Sequence, residues 1–319
     1  CCAWGPLLSP RFSGLVTSHG AGGEDDKRMT PLHAASALLI VAMWGLNFTV
    51  IRFGLDEYTP FTFATWRFLL GALPVLFVPK PAISWGTLAG IGGFMFTGQF
   101  VFLFFAMQAG LPPGLTSVLV QMQGPLTVVL AALFLREHAT RGQWLGLGIA
   151  VVGVVLIALS VQGAVHGSAP LLAIGLALLS ALTWAVGNLF FRASGKVSMF
   201  AVTVWASVLP PIPLAITGLI LDGPQALLAP LLAPTWQGWG VLFYTVVPVM
   251  WLGYLIWGTL LRTYPAAKVG PVSLLVPCAA LTFAALLVGE PVGGLRLAGI
   301  IVVLGGVATG VFASVRRLR

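Results

Sequence analysis

Ten runs of apolar residues, joined by short loops, leave this chain few ways to fold. A helix needs roughly 20 apolar residues to cross the hydrocarbon core of a bilayer. The runs cover approximately 33–53, 61–79, 86–109, 113–135, 142–160, 171–191, 199–221, 237–260, 268–288 and 295–314. The joins carry Pro, Gly or charge, as at Asp56–Pro60, Pro79–Pro81 and Leu111–Pro113. Membrane-spanning strands alternate apolar and polar residues over about 10 positions; these runs are continuous and about twice that length. Lipid offers no partner for backbone polar groups, so continuous runs of this size mean helices. Composition agrees: 58% of residues are hydrophobic and 8% charged, against about 25% charged in a soluble domain. So few charges cannot cover a water-facing surface, and the bilayer is the expected solvent and partner.

A net charge of +8 invites a nucleic-acid reading, but the basic residues stand one or two at a time between apolar runs and form no patch. Their distribution instead orients the chain. With the N-terminus inside, 13 of the 16 Lys and Arg residues fall on the cytoplasmic side, leaving Arg52 and Arg296 outside and Arg67 within a span. Positive residues favour the cytoplasmic face, so both termini are expected there and an even number of crossings follows. Residues 1–28 are rich in Gly, Ser and charge and read as a disordered extension ahead of Met29. Cys1, Cys2 and Cys278 form no disulfide framework, and Cys278 reads as a small packing residue.

The chain repeats itself. WGLNFTVIR (44–52) and WAVGNLFFR (184–192) both place Arg eight residues after Trp. Glu137 precedes Gly146 by nine residues and Gly153 by sixteen; Glu290 precedes Gly299 and Gly306 by the same intervals. Pro125 and Pro277 stand twelve and thirteen residues before those acids. The duplicated unit has five helices. Because five is odd, the second copy enters the membrane from the opposite side, the inverted-repeat architecture in which substrate sites lie between the halves. The expected organisation is a first repeat over 29–160, a linker over 161–170 and a second repeat over 171–319. Gly86/Gly90, Gly142/Gly146 and Gly306/Gly310 have the spacing that lets helices approach closely.

Several side chains within the runs are candidates for a substrate pathway. Trp44, Asn47 and Ile51 share one helical face of the first span, and Trp184, Asn188 and Arg192 share one in the sixth. An Asn in hydrocarbon needs a partner, so Asn47 and Asn188 either tie helices together or touch substrate. Gln99, Gln121 and Gln123 lie deep in spans three and four, with Ser117 one turn from Gln121. They offer donors and acceptors without fixed charge, which suits a zwitterion such as an amino acid and equally suits bonds between helices. Arg67 either snorkels to the interface or faces a cavity and meets a substrate carboxylate. Trp251, Tyr254 and Trp257 recur at spacing three on the eighth span, a face that lines a pathway or sits in an interfacial belt. Ser273 completes the candidate set. Glu137 and Glu290, beside Arg136 and near Arg296, read as caps or ion partners at loops.

The stretches WGLNFTVIRFGL (44–55), Arg67–Phe68, QFVFLFFAMQAGLPPGLTSVLVQMQ (99–123), WAVGNLFFR (184–192), LILDG (219–223), GYLIWGTLLRTY (253–264) and PVSLLVP (271–277) carry a resemblance. Over residues 29–319 the chain resembles the drug/metabolite transporter superfamily with two EamA-type repeats, and most of all its members that export cysteine and O-acetylserine. The resemblance implies ten helices, an inner-membrane location and export of a small polar metabolite by alternating access. Gln123-Gly124-Pro125 departs from the Ala/Phe-like continuation expected there and bears on the substrate. The small multidrug relatives carry a carboxylate in their first helix; here that helix offers Asn47, so a proton-swap mechanism lacks its residue. The alternative is export of drugs, aromatic compounds or nucleosides on the same scaffold. An enzyme would need a nucleophile with a base, or acidic metal ligands, within the spans, and none stands there; no cofactor, metal or nucleic-acid partner is expected.

Overall fold

The computed structural model describes residues 29–135, 139–162, 170–195, 197–264 and 266–317. The expected extension over 1–28, most of the 161–170 linker and Glu137 lie outside the described residues. Among these residues there is no strand. Nine helices among the described residues are long and apolar enough to cross a membrane: α1 (Pro31–Glu57), α3 (Trp85–Gln108), α4 (Pro113–Phe134), α5 (Arg141–Ser160), α6 (Leu171–Ala193), α7 (Met199–Leu221), α8 (Trp236–Thr263), α9 (Gly270–Val288) and α10 (Gly294–Ala313). A shorter apolar helix, α2 (Pro60–Leu76), brings the count to ten. It begins with Pro60 in the first turn and Thr59 as cap, where a missing N–H does no harm and a hydroxyl satisfies a free one. Its last turn, Leu73–Leu76, tightens into a 3-10 helix.

The surface confirms which solvent this is. Leu76, Phe77, Ile220 and Leu286 are each at least 75% exposed, while Arg67, Gln99, Thr49 and Ser180 are buried. A water-soluble protein arranges these classes the other way round. Cys278 joins the outward set: it is exposed, with its thiol over the Leu274 carbonyl. The packing role expected for it is therefore corrected; the face of α9 that meets α1 is built by Ala279 and Ala280 instead.

Each element has a counterpart five helices on. Ser or Thr caps open α2 (Thr59) and α7 (Ser198), and likewise α3 (Ser84) and α8 (Thr235). The Trp66 indole of α2 donates to the Leu227 carbonyl and packs on Trp239 at the start of α8. The Trp205 indole of α7 donates to the Val78 carbonyl and packs on Trp85 at the start of α3. Both α3 and α8 widen into π-helical winding midway, over Ile91–Gly98 and Thr245–Leu252.

The halves interlock rather than stand side by side. Helix α1 packs against α8 and α9 of the second half, and α6 packs against α3 and α4 of the first. Helices α5 and α10 cross directly along their glycines. A Cβ added at Gly146 would stand 2.6 Å from the Gly306 carbonyl oxygen, and one at Gly142 would stand 2.6 Å from Ala313 Cβ. Backbones this close gain van der Waals contact that larger residues forbid. Gly86/Gly90 works differently, because Gly90 receives the Phe190 ring while Gly86 faces open space apart from Ser84.

Glu290 follows α9 and reaches across to α4. Its carboxylate accepts the backbone N–H groups of Gly114 (2.8 Å) and Leu115 (3.2 Å). These belong to the first turn of α4, where N–H groups have no partner within the helix. Pro112 occupies the cap position and makes no side-chain bond there, so the acid is supplied by the other half of the molecule. Burial pushes the Glu290 carboxyl up from its ordinary pKa, against the opposing pull of both N–H groups and Arg296.

Two outcomes follow from this packing. Gly306→Leu forces α5 and α10 apart and lowers the thermal midpoint in detergent, consistent with an overpacking cost of about 1–3 kcal/mol or more. Glu290→Ala strands two buried N–H groups and lowers stability by about 1–3 kcal/mol for each, measured by the same melting experiment.

Candidate functional site

A cavity of about 310 Å³ lies between the two halves, at the small end of the roughly 300–1,000 Å³ typical of ligand pockets. Six helices contribute most of it: α1, α3, α4, α6, α8 and α9, with Arg67 and Phe68 from α2 and Met199 from α7. Ten of the eleven candidate residues line this space: Trp44, Asn47, Arg67, Gln99, Gln121, Gln123, Trp184, Asn188, Tyr254 and Ser273. Trp251 does not. It stands on another face of α8, donating its indole N–H to the Gly71 carbonyl at 3.0 Å, so spacing three along α8 carries Tyr254 and Trp257 to the cavity but not Trp251. Ser117 is also absent from the lining, its hydroxyl committed to the Gly114 carbonyl, and Arg192 is exposed at the end of α6.

The two asparagines part company. Asn188 Nδ2 donates to Gln123 Oε1 at 2.8 Å and to Thr127 Oγ1 at 3.1 Å, tying α6 to α4. The amide oxygen of Asn47, on the matching helix α1, is buried with no hydrogen-bond partner. Gln99 Oε1 is likewise buried and unpartnered. Burying a polar atom without a partner is costly, and a binding site is one place where a protein tolerates that cost.

Arg67 does not snorkel. It is 2% exposed, lines the cavity and lies over the Phe100 ring at 4.2 Å. Its Nε and Nη1 have no hydrogen-bond partner. Among the described residues the acids lie elsewhere: Asp56 pairs with Arg52, Glu57 accepts from Thr235, Asp222 accepts from Thr59, and Glu290 caps α4. The lining also has an aromatic corner. Trp44 meets Trp257 at 5.4 Å and Tyr254 at 5.8 Å between ring centroids, and its indole N–H is held by the Val249 carbonyl at 3.2 Å.

Sequence reasoning left out the apolar lining, including Met95, Phe100, Phe191, Met199 and Met250. An apolar residue within an apolar run carries no mark of which face it takes. Trp257 and Ile51 had a signal, the one its spacing from Tyr254 and the other its place on the face of Trp44 and Asn47. Among the described residues no cluster of His, Cys, Asp or Glu has the makings of a metal site.

A family model described as the EamA-like transporter family matches residues 32–159 and 171–311. A protein of Salmonella typhimurium named "Probable amino-acid metabolite efflux pump" is 37% identical over 288 residues, covering 88% of this chain and 95% of its own. A protein of Escherichia coli (strain K12) with the same name is 35% identical, covering 86% of this chain and 93% of its own. A solved crystal structure at 17% identity superposes with a TM-score of 0.61 over 90% of this chain and 99% of that chain, a likeness of fold.

The unequal asparagines yield a paired test. Asn188→Ala removes the α6–α4 link and lowers the thermal midpoint by an amount matching about 0.6–2 kcal/mol. Asn47→Ala, which breaks no bond to the protein through its amide oxygen, leaves the midpoint near that of the parent while weakening ligand binding in the same preparation.

Proposed function

Because the chain belongs to the EamA-like transporter family, we propose that this multi-pass membrane transporter exports small amino-acid metabolites, with cysteine and O-acetylserine as first candidates. It acts at the cell's inner membrane with both termini cytoplasmic. The observation that carries this reading is the cavity: one unpaired Arg67 among neutral amides, in a space suited to a metabolite rather than a large drug. An amino-acid derivative brings a carboxylate for the guanidinium, which can receive it in a two-pronged geometry. It also brings polar hydrogens for the Asn47 and Gln99 oxygens. The names of the relatives from Salmonella typhimurium and Escherichia coli support the substrate class.

The orientation rests on the asymmetry of Lys and Arg between the loops. Transport follows from the interlocked halves: rocking one against the other moves access from one face to the other around a fixed site. On the far side from the N-terminus the halves are joined by exposed polar bonds, Thr59 to Asp222 at 2.8 Å and Thr235 to Glu57 at 2.6 Å. Such bonds exchange readily with water, as an opening surface requires. The aromatic corner of Trp44, Tyr254 and Trp257 favours a second reading, export of an aromatic solute, because flat rings stack there.

Counterflow in proteoliposomes with labelled cysteine, O-acetylserine and an aromatic amino acid, with and without a pH gradient, separates these readings. Uptake of cysteine or O-acetylserine is expected; no response to either defeats the narrow substrate assignment. Arg67→Ala is expected to abolish that uptake while the protein still inserts and purifies, and normal transport by the variant removes Arg67 from the site.

A further inference from the structure

The charges of the cavity are lopsided, and this goes further than a substrate class. Its lining includes one cation, Arg67, and no carboxylate among the described residues. The four described acids are engaged elsewhere, as set out above. Two guanidinium nitrogens of Arg67 stay without a partner although the side chain is 2% exposed. A buried guanidinium in this state is an incomplete ion pair, and charges within a membrane protein are paired or face a functional cavity. What surrounds the remaining space is uncharged: amide oxygens at Asn47 and Gln99, and the ring faces of Trp44, Tyr254 and Trp257.

We propose that the site reads the carboxylate of its ligand and is indifferent to the charge of the amine. This rests on the transport reading of the cavity and deepens it. A carboxylate completes Arg67 through charge-assisted bonds, the strongest kind the site can form. An ammonium group finds only neutral acceptors and aromatic faces, and these serve an acylated nitrogen equally well, since an N-acyl group still offers an N–H to the amides and an apolar face to the rings. Zwitterions and monoanions are therefore accepted. A cation without a carboxylate meets the Arg67 charge with nothing to offset the repulsion and is rejected, which separates this site from one built for cationic drugs.

The test compares three compounds that share one side chain: O-acetyl-L-serine, its N-acetyl derivative, and its methyl ester held below the pKa of its amine. Binding is read from the fluorescence of the purified protein, since Trp44, Trp184 and Trp257 line the cavity. Transport is read from competition against labelled O-acetyl-L-serine in proteoliposomes. The acid and its N-acetyl derivative are expected to bind within a few-fold of each other, and the ester about tenfold or more weakly, a difference of roughly one charge-assisted contact. Arg67→Gln is expected to bring the ratio of acid to ester close to one, and Arg67→Lys to keep part of it. Should Arg67→Gln fail to fold, the three compounds still decide the matter on the parent protein. An ester that binds as well as the acid overturns the proposal and leaves the exporter reading standing. Acid-selective binding without any movement of labelled O-acetyl-L-serine retires that substrate assignment and leaves the carboxylate site standing. No fluorescence response to any of the three overturns both.

Discussion

Hydrocarbon supplies no partner for a backbone amide or a side-chain dipole, and the architecture follows from where this chain finds partners for itself. The ends of helices are the hardest places, because their first N–H groups have no acceptor in the same helix. Thr59, Ser84, Ser198 and Thr235 meet that need locally. At α4 the need is met from the other half of the molecule by Glu290. Gly114 permits the approach, since a Cβ there would stand 2.8 Å from the Glu290 carboxylate. A helix end in one half is thus tied to a loop in the other, and the interlocked arrangement of α1 and α6 is held by chemistry as well as by packing.

Against this background the unmet polar groups that line the cavity gain meaning. The pseudo-symmetric pair Asn47 and Asn188 illustrates it. Each of the paired helices α1 and α6 carries one such amide; the one on α6 is used up by Gln123 and Thr127, and the one on α1 leaves its oxygen buried and unpartnered. Gln99 and Arg67 share the latter condition. Symmetry in the scaffold with asymmetry in the polar lining lets a two-fold frame present a site with distinct ends, as an asymmetric ligand requires.

Much of this was legible in the sequence because hydrophobicity alone decides which segments enter lipid. The ten runs and the odd-numbered repeat follow from apolar length and from the spacing around Trp44, Trp184, Glu137 and Glu290. Polar residues within those runs were also conspicuous, which is why ten of eleven candidates meet in one cavity. The direction a residue faces was harder to read. Cys278 and Trp251 sit in apolar runs whose every face is apolar, so periodicity carries no orienting signal. The neutrality of Arg67's surroundings was invisible for another reason: it depends on where distant acids such as Glu290 and Asp222 end up in space.

The π-helical segments of α3 and α8 have a consequence for that geometry. Winding with i→i+5 bonds takes more residues per turn than an α-helix, and one surplus residue displaces everything after it by about 100° around the axis, the turn allotted to a single residue at 3.6 per turn. Gln99 begins directly after Ile91–Gly98, and Tyr254 two residues after Thr245–Leu252. Each helix therefore arrives at the cavity with its downstream portion clocked differently from its upstream portion, like two lengths of one rod joined with an offset. Met95, Phe96, Val249 and Met250 within the wide turns and Gln99 and Tyr254 after them all reach the cavity, so the aim of Gln99 and Tyr254 depends on the pitch of the preceding turn.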